Sequence, residues 1–320
     1  YSGKYINCLI IFERKNIKPK NMKNILLLIH SASHPIYQNN IEALVNGYKA
    51  TIDRYKLNID IVTFGGTSDN PNQERKENMI FDIDEKQVAD TLFAAVDMYT
   101  KDNYDIIVKT NTNTVVNLQL LCDFCNSDMF EDGVVYSNLY MTTYGDSSNV
   151  IFPSGMFVMA DKNTWKSIVE NYQDAIEYTD ANFPRNVSIR HLDNETSDRL
   201  VWTGYSDEFI IGVCIMISGN IHLQSLPGSS LSSSKHTIFD SLISWGILKT
   251  DINTNYIAIN CKLDSVTPET CGDLILGSYE EKFRTLYEHV LITAICRVFE
   301  YNISSYPELM YVRDAKVYYQ

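Results

Sequence analysis

The chain has 320 residues, 45% hydrophobic and 21% charged, a balance that suits one large globular domain or a domain plus an extension. Its formal charge of -13 argues against nucleic acid or an anionic membrane as partner, since both need basic surface. No apolar run approaches the roughly 20 residues that cross a bilayer, and seven scattered cysteines do not make a disulfide framework.

Residues 1–21 are basic (Lys4, Arg14, Lys15, Lys18, Lys20), unlike the strand and helix patterns of the remaining chain. Met22, just before the first strong strand pattern, reads as a natural start, which makes 1–21 an extension. Asn24 to His30 is then an apolar strand that ends in Ser31-Ala32-Ser33-His34-Pro35. Over Asn40 to Tyr55, Ile41, Leu44, Val45 and Tyr48 recur at the spacing of one buried helix face. Leu57 to Phe64 alternates and closes on Gly65-Gly66, a second strand and its turn. Thr67 to Asn78 is a polar loop, Asp84 to Tyr99 a second amphipathic helix, and Tyr104 to Lys109 a third strand. Strand and helix alternating at this spacing predict a parallel sheet covered by helices.

Further along, the pattern predicts a helix at Leu118 to Cys125, a strand at Val134 to Leu139, and a hairpin-like segment over Ile151 to Met159. A helix comes next at Lys162 to Tyr172. Thr179 to Ser197 reads as a polar loop and residues 228–234 as a flexible Ser-rich segment. A long apolar-faced helix is expected from Tyr279 to Tyr301. Cys122-Asp123-Phe124-Cys125 has metal-site spacing but sits in a helical apolar pattern, so it reads as core. Sequons at Asn186, Asn194 and Asn302 matter only in a secreted chain. Nothing resembles a signal peptide, so the expected compartment is reduced and cytoplasmic.

Four places carry side chains suited to chemistry. The first is Lys109-Thr110-Asn111-Thr112-Asn113-Thr114, where a buried strand stops in a cluster of amides and hydroxyls. Ligands of open α/β sheets bind where strands end in this way, although Asn and Thr also make turns by bonding their own backbone. The second is Asp207-Glu208, two acids opening an apolar helix pattern. Such acids serve as plain helix caps or, beside a cleft, as a base for a hydroxyl nucleophile. The third is the turn at Ser154-Gly155, where glycine permits close approach of a ligand or nothing more than a bend. The fourth is His236, after the Ser-rich segment.

Taken in order, these segments resemble the β-1,3-glycosyltransferases of the Fringe and β-1,3-galactosyltransferase type (glycosyltransferase family 31, GT-A fold). That family shows Lys-Thr-Asp-Asp-Asp-Thr-Phe-Val-Asn where this chain has Lys109-Thr110-Asn111-Thr112-Asn113-Thr114-Val115-Val116-Asn117, the same frame with its acids replaced. A Ser-Gly turn into a strand is matched by Ser154 to Met159, and Glu-Asp-Val-Tyr-Val-Gly aligns on Gly212 so that the base falls on Glu208. Phe81-Asp82-Ile83-Asp84 resembles the family's Asp-rich lead-in. His236 is the nearest match to the metal histidine.

The resemblance covers roughly residues 24 to 240. It implies a GT-A-like Rossmann-type mixed sheet flanked by helices over 22–240; beyond the resemblance, the helical pattern makes 241–320 a mainly helical C-terminal extension. It further implies an inverting transferase that moves a sugar from a nucleotide sugar, most simply UDP-linked, to the hydroxyl of a glycan or other acceptor. Glu208, or Asp207, would take the proton. Ser31, Ser33, Lys109, Asn111, Thr112, Asn113, Ser154 and Gly155 would line the nucleotide sugar. Mn2+ or Mg2+ would sit at Asn113 and His236, with metal-free stabilisation of the leaving group as the alternative. Amides are weaker ligands than carboxylates for these ions, so a second expectation stands beside the first: an inactive relative that binds glycan or scaffolds a partner. The C-terminal helix is a candidate for self-association. Abundant Asn, Ile, Tyr and Lys would suit an AT-rich genome such as a large DNA virus or a low-GC bacterium.

Overall fold

A computed structural model describes residues 22–31, 35–67, 83–84, 88–112, 114–142, 150–182, 186–191, 199–202, 207–226, 229–230 and 257–260. Its elements in chain order are β1 (Ile25–His30), α1 (Pro35–Tyr55), β2 (Ile59–Phe64), β3 (Gly66–Thr67), β4 (Ile83–Asp84), α2 (Val88–Thr100), β5 (Ile106–Asn111) and β6 (Thr114–Val116). Then come α3 (Leu118–Cys125), β7 (Val134–Thr142), β8 (Ile151–Asp161), α4 (Lys162–Glu170), α5 (Tyr172–Asn182), β9 (Asn186–His191) and β10 (Arg199–Trp202). The described chain ends with α6 (Asp207–Ser218), β11 (His222–Ser225), β12 (Ser229–Ser230) and β13 (Ala258–Asn260).

Among the described residues, eight strands form one mixed sheet in the order β10-β9-β7-β8-β5-β1-β2, with β11 beside β7. The β2-β1-β5 half is parallel, and β8 joins it antiparallel to β5. This is the expected α/β class, a Rossmann-type mixed sheet flanked by helices.

Alternation along β1 sorts the core. Ile25, Leu27 and Ile29 face α1 and α3, while Leu26 and Leu28 face α2, α4, α5 and α6. Both faces are therefore apolar, as a sheet covered on two sides requires. The chain leaves β1 for β2 through α1 on one face and returns to β5 through α2 on the other. The strand order thus reverses between β1 and β5, the point at which open α/β sheets place their ligand crevice, and at the carboxyl ends of these strands His30 pairs in register with Asn111.

Several boundaries differ from expectation. The polar stretch read as a loop over Thr179 to Ser197 contains the end of α5 and all of β9, which pairs with β7 and with β10. Its polar side chains hid the alternation, and the pairing edge of β7 supplies what the residues lack locally. The helix expected to end at Tyr172 is followed directly by a second one, α5, buried through Ala175 and Thr179. Asp84, read as a helix start, lies in β4, and α2 begins at Val88.

Within 241–320, Ala258–Asn260 is a strand that pairs antiparallel with β6 just past the Asn/Thr turn. The helix expected at 279–301, the extension 1–21, and most of the loop from Thr67 and of the 228–234 segment lie outside the described residues. Cys122 and Cys125 are buried core residues, as expected. No helix among the described residues is long and apolar enough to cross a membrane.

Candidate functional site

Strand parity decides what meets in the crevice. His30 on β1 and Lys109 and Asn111 on β5 continue the row of Leu26, Leu28 and Ile107, so all three stand on the face that α6 covers. The first residues of α6 are Asp207 and Glu208.

Lys109 is only 2% exposed and Asp207 6%. Their ammonium and carboxylate oxygen Oδ2 lie 2.6 Å apart, and Oδ2 is sealed from solvent with that ammonium as its partner. Lys109 Nζ also donates to the carbonyl of Gly155. Burial pushes the Asp207 carboxyl up, but the Lys109 ammonium and His30 outweigh that and hold it below the usual carboxylate range. Asp207 is thus an ionised, internal carboxylate.

Glu208 is half-buried and lies directly over Gly155. A methyl group at position 155 would overlap Glu208 Oε1, so the absence of a side chain there makes room for the carboxylate. What brings Gly155 to this point is an irregularity in β8. Ser137 pairs with Val158 but Leu139 pairs with Pro153, so residues 154–157 of β8 bulge out against a single residue of β7. Ser137 Oγ pins the bulge: it accepts from Ser154 N at 3.0 Å and donates to Phe157 O at 2.6 Å. Thr110 Oγ1 donates to Met156 O at 2.9 Å from the neighbouring strand. One turn along α6, Gly212 sits against Phe152 and Ile151, which lets the helix lie flat on β8.

The Asn/Thr turn is organised by its own side chains. Thr114 Oγ1 donates to Asn111 Oδ1 at 2.8 Å, and Thr112 is buried. The Tyr48 hydroxyl of α1 accepts from Val116 N at 2.8 Å and donates to Thr114 O. Asn117 caps α3 by accepting from Leu120 N. Ser31 is buried, donates its backbone N–H to Phe64 O at 2.7 Å, and passes so close to Gly65 that a Cβ there would strike its carbonyl.

Lys109, Gly155, Asp207 and Glu208 are therefore in mutual contact or one contact apart, with Ser154 in the same bulge. Ser31, Asn111 and Thr112 stand at the ends of β1 and β5 beside them. Ser33, Asn113 and His236 lie outside the described residues. No group of three or more His, Cys, Asp and Glu placed to hold a metal ion occurs among the described residues. The described part of the turn offers amide and hydroxyl oxygens, and the Asn111 oxygen already accepts a hydrogen bond. That donor set does not by itself fit Mn2+ or Mg2+.

Two residues of this site were not singled out by sequence reasoning. His30 looks like the end of an apolar strand, and only its parity with Lys109, visible once the strands are in register, marks it. Ser137 carries no local signal, because its role depends on the bulge of another strand.

No family model and no curated protein matches the sequence. Among solved structures, a glycosyltransferase of Streptococcus pneumoniae (GlyE) aligns with a TM-score of 0.37 and 13% identity, over 89% of this chain and 66% of that one. The inositol-1-phosphate CTP transferase of T. maritima aligns at 0.33 and 8%, over 64% of this chain and 86% of that one. A Thermus thermophilus protein described as a mannose-1-phosphate geranyltransferase aligns at 0.29 and 8%, over 74% and 73%.

Proposed function

We propose that the chain is a transferase acting on a nucleotide sugar, with Glu208 as the base that takes the proton of an acceptor hydroxyl. The observation that carries this reading is the placement of a half-buried carboxylate, Glu208, over the side-chain-free surface of Gly155, beside the crevice where the strand order reverses. The hydroxyl oxygen attacks the anomeric carbon, its proton passes to Glu208, and the bond from that carbon to the diphosphate oxygen breaks with inversion. Asp207 and Lys109 neutralise each other inside the protein, which leaves Glu208 as the acid of the pair that can face a substrate.

Asn111, Thr112, Ser154 and Ser31 would border the donor, with Ser33 and Asn113 continuing the same wall. A UDP-linked donor and a divalent ion at Asn113 and His236 are supported by the sequence resemblance alone, and no step here passes through that ion. Replacing Glu208 with Gln keeps its shape and removes the base. Turnover of the preferred nucleotide sugar should fall by about 100- to 10,000-fold with nucleotide binding retained; unchanged turnover would refute the assignment.

A second reading is favoured by the replaced acids of the turn and the hydrogen bond that occupies Asn111. In it the crevice binds a nucleotide or glycan without turning it over. Wild-type chain that binds nucleotide yet turns over no nucleotide sugar, with or without manganese, would select it.

A further inference from the structure

A nucleoside diphosphate carries several negative charges into a chain whose own formal charge is -13, so its site needs a cation. Lys109 cannot supply one. It is sealed from solvent, and its ammonium is already shared between Asp207 and the Gly155 carbonyl. The other lysines and arginines whose side chains are described sit on helix surfaces or at the opposite end of the sheet. Lys166, for example, pairs with Glu170 on its own helix, Lys101, just past the end of α2, pairs with Asp97, and Lys23 precedes β1.

His30 is the remaining basic side chain that the described residues bring to the carboxyl ends of β1 and β5. It is half-buried, with its ring 5.1 Å from that of Phe64 at the matching position of β2. Asn111 stands beside it in register on β5, Lys109 one pair further back, and Asp207 of α6 is close enough to interact with its charge. Glu208 is the next residue on the same helix. The imidazole therefore lies against an aromatic ring and within reach of an internal carboxylate's charge, and its ring N–H groups are donors suited to an anion.

We propose that His30 is the cationic contact for the diphosphate of the nucleotide, with Asp207 as the carboxylate that orients it. This rests on the nucleotide-sugar reading above. It gives the buried Lys109–Asp207 pair a second role: Lys109 fixes the carboxylate, whose charge acts on the imidazole.

The test compares UDP with uridine, which lacks the phosphates, by calorimetry on the full chain near pH 6.5. His30→Gln should weaken UDP binding roughly tenfold, the scale of one lost charge-assisted hydrogen bond. It should leave uridine binding unchanged, and His30→Lys should restore most of the UDP affinity. Wild-type chain supplies an independent arm that needs no variant: diethylpyrocarbonate modification of His30, located by peptide mass spectrometry, should be blocked by UDP and not by uridine. Equal losses for UDP and uridine, no loss for either, or a His30 that UDP leaves open to the reagent would overturn the proposal while the nucleotide reading stood. A wild-type chain that binds none of UDP, GDP, CDP and ADP would bring down that reading and this inference together.

Discussion

The adjacent acids Asp207 and Glu208 show how one residue step separates two chemistries. Asp207 points inward to Lys109 and behaves as a structural anion, while Glu208 is half-buried and lies over Gly155. Gly155→Ala tests the second half of that statement. Its backbone is not in the left-handed region, so the obstacle to alanine is its overlap with the Glu208 side chain at Oε1, Cγ and Cδ. Displacing a reacting group by about 1 Å costs on the order of 100-fold in rate. Turnover should fall by about that factor, with the melting temperature and nucleotide affinity near those of the parent.

The first half is tested by charge. Lys109→Met leaves Asp207 buried without its partner and should cost about 3–5 kcal/mol in urea unfolding. The double variant Lys109→Met with Asp207→Leu removes both charges and should unfold at or above the parent's urea midpoint. A single variant as stable as the parent would show that the pair is not the internal contact described.

At the scale of elements, the site depends on how closely α6 can lie on β8. Gly212 makes that approach possible, because a methyl group there would overlap Phe152 Cβ and come within 2.9 Å of the Ile151 carbonyl. Neither neighbour is the free end of a long side chain, so neither can move aside cheaply. Gly212→Ala should therefore destabilise by about 1–3 kcal/mol, the usual cost of overpacking, despite alanine's better helix propensity. A gain in stability would mean that α6 sits further from the sheet. The bulge of β8 is the matching device on the strand side. Its pinning by Ser137 and Thr110 places Gly155 where Lys109 and Glu208 both reach it, so two strands and a helix hold one glycine in position.

Over the whole molecule, acid unfolding sums the contributions of 40 Asp and Glu residues, of which Asp207 has an assignable share. Its folded carboxyl titrates below the ordinary value of about 3.9. The stability it contributes is therefore present above that value and lost as pH falls through the folded one. The parent's stability should fall more steeply below about pH 4 than that of the Lys109→Met, Asp207→Leu double variant, as read from urea midpoints across the acid range. Parallel profiles would assign the acid sensitivity to other carboxyls.

The α/β class, strands β1, β2 and β5, helices α1 to α3 and the paired acids opening α6 were legible in the sequence. Each rests on a periodicity of 2 or 3.6, or on a continuous apolar run, that one segment carries by itself. Strand β9 was not legible, because its polar residues are stabilised by the neighbours β7 and β10 with which it pairs. The candidate residues were found as separate patches, Lys109 to Asn113, Ser154-Gly155 and Asp207-Glu208. What each of them does was left to the fold. That Lys109 is internal and closed by Asp207, that Glu208 is the outward member of its pair, and that His30 shares their face all come from strand register and a bulge in β8. Local composition sets which segments are strands and helices, since burial of one face is a property of the segment. Which side chains meet across segments is set by register and helix approach, and those are properties of the packed sheet.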